Sequence, residues 1–134
     1  MASELRVNTL KDASGNNSIA TSFVAGGSAK AWIHFNGSGT IAIVDSFNFA
    51  SITDNGTGDY TNTLTSAMVN DDYLYGGAAC PATSGDYSRI FTPRGDGSTS
   101  DASTTAYRGF ATQSWTANAE DNAAVFSLVH GDLA

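Results

Sequence analysis

The chain is built from short runs in which apolar and polar residues alternate with the two-residue period of a β-strand. In residues 30–36, for example, every second position is apolar, so one face of this strand is predicted to be buried. Trp32 interrupts the pattern on the opposite face. Because an exposed indole ring is costly in water, we expect Trp32 to contact a further layer, a neighbouring subunit or a ligand. Asn36-Gly37 then predicts a turn, since both residues adopt positive φ at low cost.

Similar runs follow one another along the chain, separated by turn signals. The predicted strands are residues 4–11, 18–24, 30–36, 40–44, 46–53, 59–65, 73–80, 87–92, 104–112 and 123–130. In 40–44 both faces are apolar, as expected of a strand that is covered on both sides. In the next strand, Phe47 and Phe49 are predicted to share one face. No helical periodicity extends beyond about two turns, so helix content is expected to be low.

This spacing of short strands and turns favours an all-β fold, and within that class an antiparallel β-sandwich of the jelly-roll kind. The 134 residues leave room for one core of ordinary size. The small residues Gly26-Gly27-Ser28 are the best linker candidate. We therefore predict an N-terminal attachment and trimerisation segment, residues 1–28, and a β-sandwich domain, residues 29–134.

Composition narrows the classes of partner. Only 14% of the residues are charged, against about 25% in an average protein, so uncharged polar residues must cover much of the surface. The net charge of -7 makes nucleic acid an unfavourable partner. A signal peptide and a stretch of about 18 apolar residues are both missing from the sequence, so we expect no membrane insertion and assembly in a cytoplasm. The single cysteine, Cys80, is expected to be buried and inert.

Residues that could carry chemistry are few, and each has a simpler structural interpretation. His34 and His130 lie on separate predicted strands without a nucleophile-elbow motif, so structural or surface roles are favoured over a catalytic triad. With Cys80 they show no zinc-ligand spacing. Residues 54–59 resemble a calcium loop, but a turn is favoured because the bidentate Glu of such loops is missing. We therefore predict that the protein is not an enzyme and that it has no catalytic residue, no metal site and no cofactor.

Aromatic residues concentrate in the C-terminal half, beside two long polar loops. Aromatic rings next to polar groups are surfaces on which sugar rings stack. The candidate host-glycan contacts are Tyr87, Arg94, Tyr107 and Trp115. The competing interpretation, favoured for any single aromatic residue, is a place in the core.

One long run resembles a known family. The segment AKAWIHFNGSGTIAIVDSFNFASITDNGTGDYTNTLTSAM, within residues 28–68, resembles a module of tailed bacteriophages, especially those of marine bacteria and cyanobacteria, found at the ends of tail fibres and in related virion proteins. ELRVNTLKDASGNNSI is similar to the opening of many phage fibre proteins. Asn62 departs from the family, which tends to have an apolar residue at that inward position. The resemblance implies a homotrimer on the virion that has no enzymatic activity and, in some members, contacts the host surface.

The resemblance and the residue patterns together favour a homotrimeric tail fibre or fibre-like appendage. The alternative is a purely architectural adaptor or a capsid-decorating protein, and a polysaccharide depolymerase ranks third because no carboxylate pair has a recognisable signature. Expected partners are sister chains, other virion proteins through the N-terminal segment, and host cell-surface polysaccharide. The candidate oligomer or attachment contacts are Leu5, Val7, Leu10 and Trp32.

Overall fold

The computed structural model describes residue 3 and residues 5–81, 89–94, 101–113 and 118–134. In these residues β-strands far outnumber helical turns, which confirms the predicted all-β class. In chain order the elements are β1 (Thr9–Leu10), β2 (Ile19–Ala20), α1 (Thr21–Gly27), β3 (Ala31–Asn36), β4 (Ala42–Phe47), β5 (Phe49–Gly56), β6 (Asp59–Leu64), β7 (Leu74–Cys80), β8 (Arg89–Pro93), β9 (Ala102–Ser103), β10 (Ala106–Gln113) and β11 (Ala124–His130).

The main sheet curls into a nearly closed barrel and is not a sandwich. Its order is β4-β3-β11-β7-β8-β10-β6-β5, with β9 beside β10, and neighbouring strands are antiparallel. The inward faces of β3 and β6 meet, because the rings of Phe35 and Tyr60 pack edge to face with centroids 5.0 Å apart. The Tyr60 hydroxyl also donates a hydrogen bond of 2.6 Å to the Gly37 carbonyl oxygen. One curled sheet therefore replaces the two stacked sheets that were predicted.

The core lies inside the barrel and is formed by every second residue of its strands. The buried apolar residues on the strands are Ala31, Ile33, Phe35, Tyr60, Leu64, Tyr75, Ala79, Phe91, Tyr107, Ala111, Val125 and Val129. The alternation predicted for 30–36 is thus confirmed. The Tyr107 hydroxyl donates to Ser127 Oγ at 2.9 Å, and the Tyr73 and Tyr75 hydroxyls donate to backbone carbonyl oxygens. These buried phenols are therefore partnered, as burial requires.

A single residue, Asn48, links β4 to β5, which are the two terminal strands of the sheet. Its φ of 61° is left-handed. Its side-chain amide donates to the Lys30 carbonyl oxygen at 3.1 Å, and its Oδ1 accepts from the Ser66 amide at 2.7 Å. Because this turn resets the alternation, Phe47 lies opposite Trp32 on β3, whereas Phe49 packs on the buried Tyr107 ring. The prediction that Phe47 and Phe49 share a face was wrong.

Strand β4 is exposed on both faces, which corrects a second prediction. Ile43 and Val44 belong to the run that was expected to be covered on both sides, yet 61% of Val44 is exposed. The reason is position, since β4 stands at one end of the sheet and pairs with β3. An apolar pattern on both faces predicted a covering layer, and no such layer is formed over Ile43 and Val44 by the described residues.

The N-terminal segment stands outside the barrel sheet. Strands β1 and β2 pair with each other in a separate two-stranded sheet, and helix α1 follows with no buried residue. The predicted strand 18–24 is therefore correct only at its start. The strand ends where α1 begins at Thr21, whose amide and hydroxyl both donate to the Asn8 carbonyl oxygen. The predicted linker 26–28 forms the last turn and C-cap of α1. The division of the chain at residue 28 stays a prediction.

Candidate functional site

An apolar surface covers the outer side of strands β3, β4, β7 and β11. Residues directly opposite each other in antiparallel strands point to the same side. Trp32 lies opposite both Phe47 and Leu128, and Phe126 lies opposite His34. All three large residues around Trp32 are exposed, and Trp32 itself is 40% exposed. These side chains therefore form one continuous outward patch.

A groove of about 650 Å³ runs through this patch. Its lining, which we call the outer groove, consists of Trp32, Ile33, His34, Asp45, Gly76, Gly77, Ala78, Phe126, Ser127 and Leu128. The small residues of β7 form its floor. A Cβ at Gly77 would lie 1.8 Å from the Phe126 carbonyl oxygen, so the close approach of β7 and β11 requires glycine there. The groove is a mainly apolar depression whose lining includes the exposed Asp45 and the half-buried His34.

The His34 ring belongs to one wall of the outer groove. It stacks on the Phe126 ring with centroids 4.4 Å apart and an interplanar angle of 18°. Asp45 lies opposite His34 in the register of β3 and β4. His130 lies at the far end of β11, opposite Leu74, so the two histidines are not brought together. The structural and surface roles predicted for the histidines agree with these contacts.

A second apolar surface is formed by residues 5–28, which we call the N-terminal arm. Leu5, Val7 and Leu10 are exposed there, and so is Phe23 on α1, which is 73% exposed. A single two-stranded hairpin and a helix of about two turns are each marginal in water without tertiary packing. The arm therefore exposes large apolar side chains on elements that are too short to be stable alone.

Lys30 connects the arm to the barrel. Its ammonium group donates to the carbonyl oxygens of Ala25 and Ser28, the latter at 2.8 Å, and to Ser28 Oγ at 2.8 Å. A cation suits this place, because unpaired carbonyl groups give a helix C-terminus partial negative charge. The end of α1 is thereby held at the start of β3.

The predicted attachment contacts fall on these two surfaces. Leu5, Val7 and Leu10 lie in the arm, and Trp32 lies in the outer groove. The sequence patterns missed Phe47, Phe126 and Leu128 as members of the patch. A signal was present, since residues 123–129 are apolar on both phases of the strand.

The predicted glycan contacts do not form a site in the described residues. Tyr87 and Trp115 lie outside the described part of the chain. Tyr107 is fully buried in the barrel, so its selection as a surface contact was wrong, and the competing core interpretation holds for it. Arg94 is partly exposed, with its guanidinium 5.5 Å from the centre of the Phe110 ring and 2.5 Å from Asp101 Oδ2.

Arg94 also approaches a charged network beside β6. The Arg108 guanidinium donates two hydrogen bonds to the Asp59 carboxylate, of 2.8 Å from Nε and 2.7 Å from Nη2. These bonds raise the pKa of the Arg108 guanidinium above its ordinary value. Arg94 Nε lies 3.8 Å from the same carboxylate. The network joins β6, β10 and the end of β8, and its geometry is that of a structural clamp.

Burial controls the protonation of three core phenols. Removal from water raises the pKa of Tyr60, Tyr73 and Tyr107, with Asp121 adding to the effect at Tyr60. The charged phenolate is disfavoured where solvent is excluded. At neutral pH all three hydroxyls are therefore protonated donors that hold strands together.

The remaining sequence candidates have structural explanations. Asp54 Oδ1 accepts a hydrogen bond from the Gly56 amide at 2.9 Å, and the predicted turn is shorter than expected, because only Thr57 and Gly58 lie between the ends of β5 and β6. Cys80 is exposed at the end of β7, which corrects the prediction that it is buried, because it shares the outward phase of Ala78. In the described ranges, we find no cluster of three or more His, Cys, Asp or Glu side chains able to hold a metal. Nor do these ranges contain a helix long and apolar enough to span a membrane.

Comparison of the chain with protein-family models, curated proteins and solved structures returned no match. The assignment of a function therefore depends on the two apolar surfaces and on the sequence resemblance.

Proposed function

We propose that this chain is a structural protein of a bacteriophage virion, forming a homotrimeric tail fibre or fibre-like appendage. The observation that supports it is the pair of uncovered apolar surfaces on one chain, the outer groove and the N-terminal arm. Exposed apolar patches of this kind are typical of interaction sites. Two exposed apolar surfaces on one chain are what a protein that assembles with other copies or other virion proteins would present.

The residues that carry the phage resemblance support this proposal through their scaffold roles. Gly37 leaves room for the Tyr60 hydroxyl, since a Cβ there would lie 2.6 Å from that oxygen. Asn48 links the two ends of the sheet. Asp59 anchors the arginine clamp. Trp32 is the exception, because it faces outward into the groove. A run of residues devoted to a rigid scaffold suits a virion protein.

A second candidate function is an architectural adaptor or capsid-decorating protein that binds no receptor. It is favoured by the apolar character of the outer groove, which suits protein side chains better than the hydroxyls of a sugar. The burial of Tyr107 weakens the saccharide hypothesis at the same time. The first candidate still includes contact with the host through the polar loops. Of the predicted glycan contacts, Arg94 is the one that is both described and partly exposed.

Antibody labelling of purified phage particles tests the virion assignment directly, provided that the antibody is raised against the full chain. Labelling at the tail or the capsid is expected, and particles that carry no label would overturn the proposal. Adsorption of the purified protein to host cells then separates the two candidates. A fibre tip is expected to bind and to lose binding when host polysaccharide is added, whereas an adaptor is expected to stay in solution.

A further inference from the structure

We infer that the outer groove of one copy receives the N-terminal arm of a neighbouring copy, so that arms are exchanged around a closed ring of chains. This inference rests on the homotrimer of the proposed function, and it is independent of the virion location. In each contact, one copy contributes its N-terminal arm and the neighbouring copy contributes its outer groove.

The arm has the properties of a segment that packs on a partner. Helix α1 buries none of its residues, although Phe23 and Val24 are large and apolar. Isolated short helices and hairpins are marginal in water. A partner surface that covers Phe23 would supply the missing tertiary packing.

The outer groove has the size and character to supply that packing. Its 650 Å³ lies within the roughly 300–1,000 Å³ of binding clefts. The exposed parts of Trp32, Phe47, Phe126 and Leu128 together amount to on the order of 400 Å². A standard interface covers about 800 Å² per partner, about 60% of it apolar. The patch is thus large enough to form the apolar centre of one interface.

Charge favours a contact between the arm and another copy. In residues 5–28, Arg6 and Lys11 against Asp12 give a net charge of +1. Residues 29–134 contain 4 basic and 11 acidic side chains, a net charge of -7. Two barrels therefore repel each other, while arm and barrel attract. The groove lining contains one carboxylate, that of the exposed Asp45, and no basic side chain of Lys or Arg.

Exchange between copies follows from the arrangement within one chain. Lys30 holds the end of α1, and Phe23 is left exposed in the same chain. A protruding arm and a concave groove are different surfaces, so their contact is heterologous. Heterologous contacts close into rings when the rotation between copies permits.

The mass of the full chain in solution, measured by light scattering, gives the first test. Wild type is expected to be a trimer, and Phe23→Asp and Trp32→Asp are each expected to be monomers with an unchanged circular dichroism spectrum. Neither side chain belongs to the buried core, with Phe23 73% and Trp32 40% exposed, and the circular dichroism spectrum checks that each variant keeps its fold. Val69→Asp is the matched control, because Val69 is 58% exposed and lies outside both surfaces. It is expected to remain a trimer.

Cross-linking identifies which chain fills the groove. In a Cys80→Ser background, Ser22→Cys and Ala78→Cys together are treated with a short bismaleimide, because Ser22 is exposed on α1 and its substitution keeps Phe23 in place. Covalent dimers and trimers on a denaturing gel are expected from the double variant, and monomers from each single variant. A cross-link that joins only the two cysteines of the same chain would overturn the inference, since the arm would then occupy the groove of its own chain.

The remaining outcomes separate the inference from the proposed function. A wild-type trimer that persists in Phe23→Asp and forms no cross-link between chains would overturn the exchange and leave the homotrimer standing. A wild type that is monomeric at every concentration would overturn both the homotrimer and the exchange. Labelling of phage particles is unaffected by either result.

Discussion

At the scale of single residues, Gly37 shows how tightly the end of the barrel is packed. An added Cβ would lie 2.6 Å from the Tyr60 hydroxyl oxygen and 3.0 Å from the Asn122 carbonyl oxygen. Gly37→Ala is therefore expected to displace the Tyr60 hydroxyl and lower the free energy of unfolding by about 2 kcal/mol. Urea unfolding at a fixed protomer concentration measures this change.

The matched control for that substitution is Gly26→Ala in helix α1. A Cβ at Gly26 would meet no atom within 4 Å, and its backbone is helical. Alanine favours a helix over glycine, so stability is expected to be unchanged or slightly raised. Equal losses in both variants would argue against the packing explanation at Gly37.

Asn62 is a buried residue whose polarity the barrel does not use. Its side chain is fully buried on β6, and neither its oxygen nor its nitrogen has a hydrogen-bond partner among the described residues. Because an unpartnered buried amide costs about 1–3 kcal/mol, Asn62→Leu is expected to raise the free energy of unfolding by a comparable amount. Thermal unfolding would show a higher midpoint, and a lower one would indicate that the amide has a structural role.

At the scale of elements, the link between β4 and β5 depends on one residue with two functions. Asn48 adopts a left-handed conformation, and its side chain bonds Lys30 and Ser66 across the closing edge of the barrel. Asn48→Gly retains the conformation and loses the bonds, at a cost of about 1–2 kcal/mol. Asn48→Ala loses both and is expected to cost about 2–4 kcal/mol. Urea unfolding of the pair measures the difference, and equal costs would contradict a conformational contribution.

Most strands of the barrel could be predicted from alternation alone, because the pattern of one buried face is local. The strands at 31–36, 59–64 and 124–130 begin and end within one residue of their predicted limits. The break at Asn48 was missed, since the apolar run continues through it and only its left-handed φ interrupts the strand. Helix α1 was missed because its seven residues are too few to show a helical period.

At the scale of the whole molecule, the barrel could not be distinguished from a sandwich in the sequence. Both architectures need one apolar face per strand, and the difference lies in how the two ends of the sheet meet. That meeting depends on Phe35 against Tyr60 and on the bonds of Asn48, which are contacts between distant residues. The outer groove was predicted only at Trp32 for the same reason, because its other walls come from β7 and β11.

The buried phenols predict how the folded molecule responds to alkali. Burial raises the pKa of Tyr60, Tyr73 and Tyr107 above their ordinary value of 10.0. Above pH 10 the unfolded chain therefore releases protons that the folded chain retains, so stability is present below that pH and is lost as pH rises. Each such tyrosine steepens the loss by about 1.4 kcal/mol per pH unit. We expect cooperative alkaline unfolding in which tyrosinate absorbance appears together with the loss of β-sheet circular dichroism.

Tyr107→Phe removes one of these ionisable protons and is expected to make the fall of the free energy of unfolding with pH shallower, although it loses the bond to Ser127. Tyrosinate absorbance that rises fully while the sheet remains folded would contradict the burial of these hydroxyls.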